Sequence, residues 1–424
     1  MKKLNLLFSI MPFIYIFYKS EIVSQSTKHD DYLIYYIISF TYIIVSLAIF
    51  YANKKIQLIF FLTIYSAIFS LYTFEIYLYL KFNKKKIDQT ADLINDYKNK
   101  VQKENYVLSY NSVELIFDDL EILTLSGISN KKTIHCNENG YYSTYKSDRY
   151  GFNNPDEVWN KNKIDFLLIG DSFVHGRCVF YQNTIAGNLA NKTNENIISL
   201  GLSGNGPLKE YASLKEYSQN KKIKNILWFY YEGNDLLELS RELKNSILIE
   251  YFINEKFTQN LVNIQNIIDS KLITSMNNQL KNLDKIEKNQ FSLDLKSILK
   301  LFNTRKILIE SRFNQKPLNE FENIISNVKL FSERNEINFY FIYLPEYFRF
   351  LPSFTNKKKY KNYEDILNII NKNDINLIDI NQEIITNIKN PIELYPNSKH
   401  GHFTPEGYDF IATTILKKIL VNQQ

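Results

Sequence analysis

The sequence predicts an α/β protein, in which a three-layer α/β/α domain with a parallel five-stranded sheet follows N-terminal transmembrane helices. Five short apolar runs occur after residue 164, each ending in a loop, and helical stretches lie between them. Strands that are buried on both faces of a parallel sheet have this pattern. Before these runs, the first 86 residues contain two long apolar segments with almost no charge, as expected of membrane-spanning helices.

The composition excludes several broad classes of protein. The chain has 424 residues, of which 45% are hydrophobic and 23% are charged, so it is neither a disordered chain nor a bundle wholly embedded in a membrane. Its net charge of +6 lies mostly in scattered lysine-rich patches. No basic helix or known nucleic-acid motif accompanies that charge, so we do not expect nucleic-acid binding.

The N-terminal region, residues 1–86, is expected to contain two to three transmembrane helices. Residues 32–52 carry no charge, and residues 56–82 carry one carboxylate, Glu75, before the closing lysine. Each of these segments is long enough to cross a hydrocarbon core of about 30 Å. Residues 4–18 are a third candidate, which is shorter and contains a proline. A signal peptide would be followed by a cleavage site of small residues, and no such site follows residue 18.

The orientation of these helices is not fixed by charge alone. With three spans and a cytoplasmic N-terminus, everything after residue 86 would lie outside the cytoplasm. Lys81 and the lysines at 84–86 would then lie on the outer side, against the positive-inside rule.

The remaining chain divides into a linker and one domain. Residues 87–130 are polar and mildly helical, and we expect a stalk or linker there. Residues 131–424 are expected to form the α/β domain. Within it, residues 236–330 are too long for one crossover between strands and have helical spacing of apolar residues, which predicts a helical insertion that serves as a lid or docking face.

Each apolar run of the domain predicts one strand. The runs are DFLLIG (165–170), NIISLG (196–201), NILWFYYEG (225–233), NFYFIYLP (338–345) and INLIDI (375–380). In parallel α/β sheets, ligands bind beyond the carboxyl ends of the strands. Residues in the loops after these runs are therefore the candidates for a functional site.

Four polar blocks fall at those ends and together provide the groups needed to attack an ester. The blocks are GDS (170–172), LSGNGP (202–207), EGND (232–235) and HGHFTPEGY (400–408). Ser172 is the candidate nucleophile and His402 the candidate base. The backbone amides of Ser172 and Gly204 and the side-chain amide of Asn234 are candidate donors to an oxyanion.

The ordered set of Ser172, Gly204, Asn234 and His402 resembles the SGNH hydrolase superfamily of GDSL-like esterases. The match covers about residues 147–421 apart from the helical insertion. The sequence around these motifs further resembles that of membrane-anchored bacterial members of the superfamily. The resemblance implies a flavodoxin-like domain and a membrane-anchored serine esterase or O-acyltransferase that works through an acyl-serine. It also implies an ester or acylated carbohydrate as substrate, no metal or organic cofactor, envelope-assembly proteins as possible partners, and an integral place in the bacterial cell membrane with an extracytoplasmic domain.

One departure from the family pattern concerns the acid that orients the histidine. The family places an Asp two or three residues before that histidine, where this chain has His400 and Lys399. Either another carboxylate serves, with Asp379 and Glu393 nearest in sequence, or the site is a Ser–His dyad. The departure also leaves open a non-catalytic protein that uses the same fold to bind a glycan or a partner.

The two cysteines, Cys136 and Cys178, flank the first predicted strand. They are either unrelated thiols or a disulfide that joins the segment before the strand to the Ser172 loop. A disulfide requires Cα atoms less than about 7 Å apart. Because disulfides persist outside the cytoplasm, a bridge would favour an outward-facing domain.

Overall fold

A computed structural model gives the fold of residues 2–23, 29–117, 120–288, 295–304, 317–351 and 362–421. The chain forms two units. One contains residues 1–90 with residues 291–313, and the other contains residues 91–290 with residues 314–424. A segment of the expected insertion thus belongs to the unit formed by the N-terminal helices.

Three helices account for most of the first unit: α1 (Lys2–Phe17), α2 (His29–Phe50) and α3 (Lys54–Glu104), the last of which continues beyond this unit. Ring contacts join them, with Phe13 of α1 5.7 Å from Tyr36 of α2 and Phe8 of α1 6.4 Å from Tyr65 of α3.

Within the described residues, one helical segment, Lys54–Lys81, is long and apolar enough to cross a membrane. The apolar stretch Tyr35–Phe50 of α2 is shorter. These criteria are length and composition only, which a core helix or a signal sequence also meets.

The second unit is built around the predicted parallel sheet. Its strands are β6 (Lys163–Ile169), β7 (Ile197–Ser199), β8 (Lys222–Tyr231), β9 (Asn338–Leu344) and β10 (Asn376–Asp379). They are all parallel, in the order β10–β9–β8–β6–β7. The first strand of this sheet therefore lies between the second and the third, which is the flavodoxin-like order. The predicted fold class is confirmed.

Residues of β8 explain why the sheet is covered on both faces. Trp228 and Tyr230 pack into one hydrophobic core, whereas Leu227 and Phe229 pack into the other. Alternate side chains of a strand point to opposite faces, so an unbroken apolar run needs two cores.

The helices of this unit are α4 (Ile185–Thr193), α5 (Pro207–Tyr217), α6 (Asp235–Glu242), α7 (Ser246–Ile253), α8 (Gln265–Lys288), α10 (Leu318–Arg334), α11 (Asn362–Lys372), α12 (Ile380–Asn387) and α13 (Pro405–Val421). The short helix α9 (Leu295–Leu299) belongs to the first unit.

Residues 107–128 differ from the expected stalk. They contain β1 (Val107–Leu108), β2 (Glu114–Phe117) and β3 (Leu120–Leu123), and their buried side chains join the core beside the sheet. β1 also pairs with β4 (Lys132–Ile134), which pairs with β5 (Thr144–Lys146). This segment is rich in apolar residues, so the prediction of a polar stalk was wrong for this part of the chain.

The expected insertion is also narrower than residues 236–330. Leu239 of α6 and Phe321 of α10 are fully buried in the core of the sheet domain. Leu248 of α7 and Leu272 of α8 are buried in the same core, so these four helices belong to the α/β domain and the insertion is reduced to the segment between α8 and α10.

Candidate active site

The turn after β6 presents Ser172 beyond the carboxyl end of the sheet. Gly170 is needed there, because a Cβ atom on it would lie 2.4 Å from Cγ2 of Val174. The Asp171 carboxylate accepts a hydrogen bond from the Phe173 N–H at 2.8 Å. Asp171 is buried, and its burial raises the pKa of its carboxyl group. This geometry is that of a residue that fixes the turn.

His402 reaches the serine from the start of α13. Its Nε2 lies 2.9 Å from the Ser172 Oγ. The helix begins at Pro405, and the Thr404 hydroxyl accepts a hydrogen bond from the Gly407 N–H at 3.2 Å, as an N-cap does. The segment that carries the imidazole therefore leads directly into a capped helix, which limits its movement.

The acid that contacts His402 is Glu138, from the loop between β4 and β5. The His402 Nδ1 lies 3.0 Å from Oε2 and 3.1 Å from Oε1 of Glu138. The backbone N–H of His402 also donates to Oε2 at 2.7 Å. The carboxylate therefore holds the ring and the backbone of His402 at once.

Neither acid named from the sequence contacts His402. Asp379 lies at the N-terminus of α12, where its carboxylate accepts hydrogen bonds from the Asn381 N–H and the Tyr363 hydroxyl. Glu393 accepts from the Asn390 side chain at 2.8 Å. Glu138 is not near His402 in sequence, because the two residues lie 264 positions apart.

The ionisation of Glu138 fixes the tautomer of His402. Burial of Glu138 opposes ionisation, but hydrogen bonds and charge interaction with His402 outweigh it and lower the pKa of the carboxyl group below 4.5. An ionised carboxylate only accepts hydrogen bonds, so the proton of the neutral ring lies on Nδ1. Nε2 is then free to accept the Ser172 proton. Because the pKa of Glu138 is lowered, this contact is present above pH 4.5 and is lost as the pH falls through the lowered pKa.

A disulfide ties the Glu138 loop to the Ser172 loop. Cys136 and Cys178 are bonded, and their Cα atoms are 4.9 Å apart. The Asn139 side chain donates to the Cys178 carbonyl at 3.1 Å, so Glu138 lies between two attachments. The cross-link therefore holds the acid near a serine from a distant part of the sequence.

Removing this disulfide is expected to lower stability. The cysteines are 42 residues apart, and closing a loop of that size is worth about 4 kcal/mol in the chain-entropy model. We expect the variant with both Cys136→Ser and Cys178→Ser to lose about that much free energy of unfolding, measured by denaturant titration. Reducing agent should destabilise the wild type by a similar amount and leave the double variant unchanged. A difference below about 1 kcal/mol would contradict a stabilising role of the bridge.

Gly204 and Asn234 follow the strands on either side of β6. Gly204 follows β7 and has a φ of +80°, a left-handed conformation that suits glycine. Asn234 begins α6, but its side chain makes no capping hydrogen bond, and its buried Oδ1 has no partner among the described residues. Both residues therefore lie at the ends of the two strands that flank β6.

A buried histidine that the sequence did not single out for the site connects two of these loops. His175 lies three residues after Ser172, and its Nδ1 accepts from the Ser203 N–H at 3.3 Å. Its Nε2 lies 3.1 Å from the Tyr145 hydroxyl. Burial lowers the pKa of His175 to about 3, so the ring is neutral. The ring thus links the serine turn to the backbone directly before Gly204.

Aromatic side chains pack around His402, the candidate base. The ring of Phe173 lies 4.8 Å from the ring of His402, 4.2 Å from that of Tyr231 and 5.0 Å from that of Phe403. Glu232, beside Tyr231, is paired with Arg349 and accepts from the Tyr343 hydroxyl at 2.6 Å. Tyr231 and Glu232 are therefore held by packing and pairing at the end of β8.

Among the described residues, one group of three side chains has the spacing of metal ligands: Cys136, Glu138 and Cys178. Both cysteines are in the disulfide, so they offer no thiolate. The rings of His135 and His175 have centroids 4.2 Å apart and are tilted by 50°, but these residues are not part of such a group.

Comparison with protein-family models and with curated proteins finds no match. Similar solved structures include the acetyl xylan esterase AlAXEase, with 12% identity, a TM-score of 0.35, and coverage of 60% of this chain and 100% of that chain. A lipase/acylhydrolase from Enterococcus faecalis has 10% identity and a TM-score of 0.33 over 60% of this chain and 95% of its own. A protein of the G-D-S-L family from Desulfitobacterium hafniense has 13% identity and a TM-score of 0.31 over 61% of this chain and 99% of its own. These similarities concern the fold and assign no activity to this chain.

Proposed function

We propose that the chain is an SGNH-type serine esterase or acyltransferase that acts on an ester through an acyl-serine intermediate. The observation that carries the proposal is the chain of contacts from Ser172 Oγ to His402 Nε2, and from His402 Nδ1 to the Glu138 carboxylate. In this arrangement a serine is activated by a neutral imidazole, which a carboxylate orients.

The proposed reaction has two steps. Ser172 Oγ attacks the acyl carbon while His402 Nε2 takes the hydroxyl proton, and the imidazolium then protonates the leaving alcohol. Water, or the hydroxyl of an acceptor, next attacks the acyl-serine while His402 again takes and returns a proton. The Glu138 carboxylate stabilises the imidazolium that forms in each step. The backbone amides of Ser172 and Gly204 and the Asn234 amide would stabilise the oxyanion.

The substrate class and the setting are the finer part of the proposal. We propose an acyl group on a carbohydrate as substrate, and anchoring in the cell membrane with the α/β domain outside the cytoplasm. The apolar segment Lys54–Lys81 supports anchoring, and the disulfide between Cys136 and Cys178 supports an oxidising compartment. A carbohydrate on the cell surface would be accessible to a domain in that place.

A non-catalytic binding function was the alternative from the sequence. The observation in favour of that alternative was the absence of an acid two or three residues before His402. Glu138 lies within hydrogen-bonding distance of the ring, so this reason no longer favours a binding protein over an enzyme.

The oxyanion role of Asn234 provides a kinetic test of the proposed function. We expect Asn234→Ala to lower kcat for a short-chain aryl ester by about 10²- to 10³-fold, because one donor to the transition state is lost. The Michaelis constant should change little, since the donor acts mainly on the developing charge. Asn335→Ala is the matched control, because the Asn335 side chain caps only its own helix through the Phe331 carbonyl. Equal kcat values for the two variants would contradict the role.

A further inference from the structure

Glu75 lies within the apolar segment Lys54–Lys81, where a carboxylate is costly unless it has partners. It is fully buried. Its carboxylate accepts hydrogen bonds from the backbone and side chain of Asn303 at 2.9 Å each, and from the backbone and hydroxyl of Thr304 at 2.7 Å each. All of these partners come from the insertion, more than two hundred residues away in sequence.

The contact extends along one face of α3. The Tyr72 hydroxyl donates to the Leu299 carbonyl at 3.2 Å. Leu78 and Tyr79 are buried beside Glu75, at the helical spacing that places all four residues on one side of the helix. Residues 298–304 therefore lie along α3 within the same structural unit.

The backbone of this segment is shaped for the contact. Leu301 has a φ of +50°, a left-handed conformation that is unusual for leucine. It follows α9, and its N–H donates to the Ile298 carbonyl at 2.9 Å. The chain thus changes direction after α9, and the helical residues 302–304 that follow bring Asn303 and Thr304 to Glu75.

Two large apolar side chains of the same segment face away from the protein. Leu299 is 68% exposed and Phe302 is 58% exposed, whereas Ile298 and Thr304 are buried. Phe69 and Phe74 of α3 are likewise exposed, as expected of residues that face lipid. The same structural unit therefore exposes apolar side chains both on α3 and in residues 298–304.

The depth of the contact follows from helix geometry. Glu75 lies six positions before Lys81, which is about 9 Å along the axis. The 28 residues of the segment extend about 42 Å, which exceeds a hydrocarbon core of about 30 Å. With the excess shared equally between the ends, Glu75 lies about 3 Å inside the hydrocarbon boundary, and Tyr72 lies deeper.

We propose that residues 298–304 form a second membrane-contacting element, with Leu299 and Phe302 inserted among lipid acyl chains and Glu75 clamping the element to α3. The proposal rests on the membrane anchoring included in the proposed function. Lys300, exposed beside them, is long enough to reach lipid headgroups. The insertion would thereby attach the α/β domain to the bilayer at a point distant in sequence from the N-terminal helices.

Lipid quenching of single labelled sites tests this proposal in the full chain. The native cysteines are both in the disulfide, so a cysteine added by Phe302→Cys is labelled alone with an environment-sensitive fluorophore. Phe69→Cys, 74% exposed on α3, is the membrane control, and Leu330→Cys, 48% exposed on α10, is the aqueous control. In liposomes, acyl-chain spin-labelled phospholipids should lower the emission at positions 302 and 69 by about twofold or more and leave position 330 unchanged.

The outcomes separate this inference from the anchoring itself. Quenching at 69 without quenching at 302 overturns the inference and leaves the anchor intact. An absence of quenching at both positions overturns the anchoring and the inference with it. Adding Glu75→Ala should abolish quenching at 302 while position 69 remains quenched. Unchanged quenching at 302 in that background would overturn the role of Glu75 as the clamp.

Discussion

Ser172→Ala is expected to reduce turnover of a short-chain aryl ester by about 10⁴-fold or more, because the proposed acyl-enzyme forms on the Ser172 hydroxyl. The serine is nearly buried, and the change removes one hydroxyl without opening a large cavity. The midpoint of thermal unfolding should therefore change little. Initial rates and thermal unfolding of the purified full chain measure the two effects separately.

Ser240→Ala is the matched control for this change. Ser240 lies on α6, and its hydroxyl donates to the Leu237 carbonyl. It should keep full activity. Turnover by Ser172→Ala at the wild-type rate would show that hydrolysis occurs elsewhere.

Glu138→Gln is expected to produce the second largest effect. In other serine hydrolases, exchanging the orienting acid for its amide lowers kcat by about 10⁴-fold through the wrong histidine tautomer. Glu138 is partly exposed, so we expect a loss of about 10³-fold here. The pH profile of kcat/KM for wild type and variant, measured with the same aryl ester, reports whether the base has changed.

The acids that the sequence named provide matched controls. Glu393→Gln makes the same chemical change at a side chain that contacts Asn390 rather than His402, and it should retain activity within about threefold. Asp379→Asn tests the other candidate. If Glu393→Gln or Asp379→Asn lost more activity than Glu138→Gln, the assignment of the acid would be wrong.

The parallel sheet could be predicted because its strands are buried on both faces. β8 shows the reason: from Ile226 to Tyr231 its residues alternate between two cores, so all six are apolar, and the pattern is visible in a single sequence. The loops at the strand ends could likewise be placed, since parallel strands present their carboxyl ends at one edge. Ser172 and His402 were brought together on that basis.

Glu138 could not be predicted in the same way. It lies in NENG (137–140), a loop without periodicity, and meets His402 only through tertiary structure. The pairing of Cys136 with Cys178 was the one signal that brought this loop to Ser172. Residues 107–128 were misjudged for a related reason, because their short strands pair and pack with distant parts of the chain.

Covalent labelling by a serine-reactive fluorophosphonate tests the central claim most directly. The reagent reacts with a serine that a base activates, and peptide mass spectrometry locates the adduct. We expect one adduct per chain, on Ser172, in the wild type, and much slower labelling in Glu138→Gln, whose His402 loses its orienting carboxylate. An unlabelled Ser172 in protein that unfolds cooperatively, or an adduct on another serine, would contradict the proposed nucleophile.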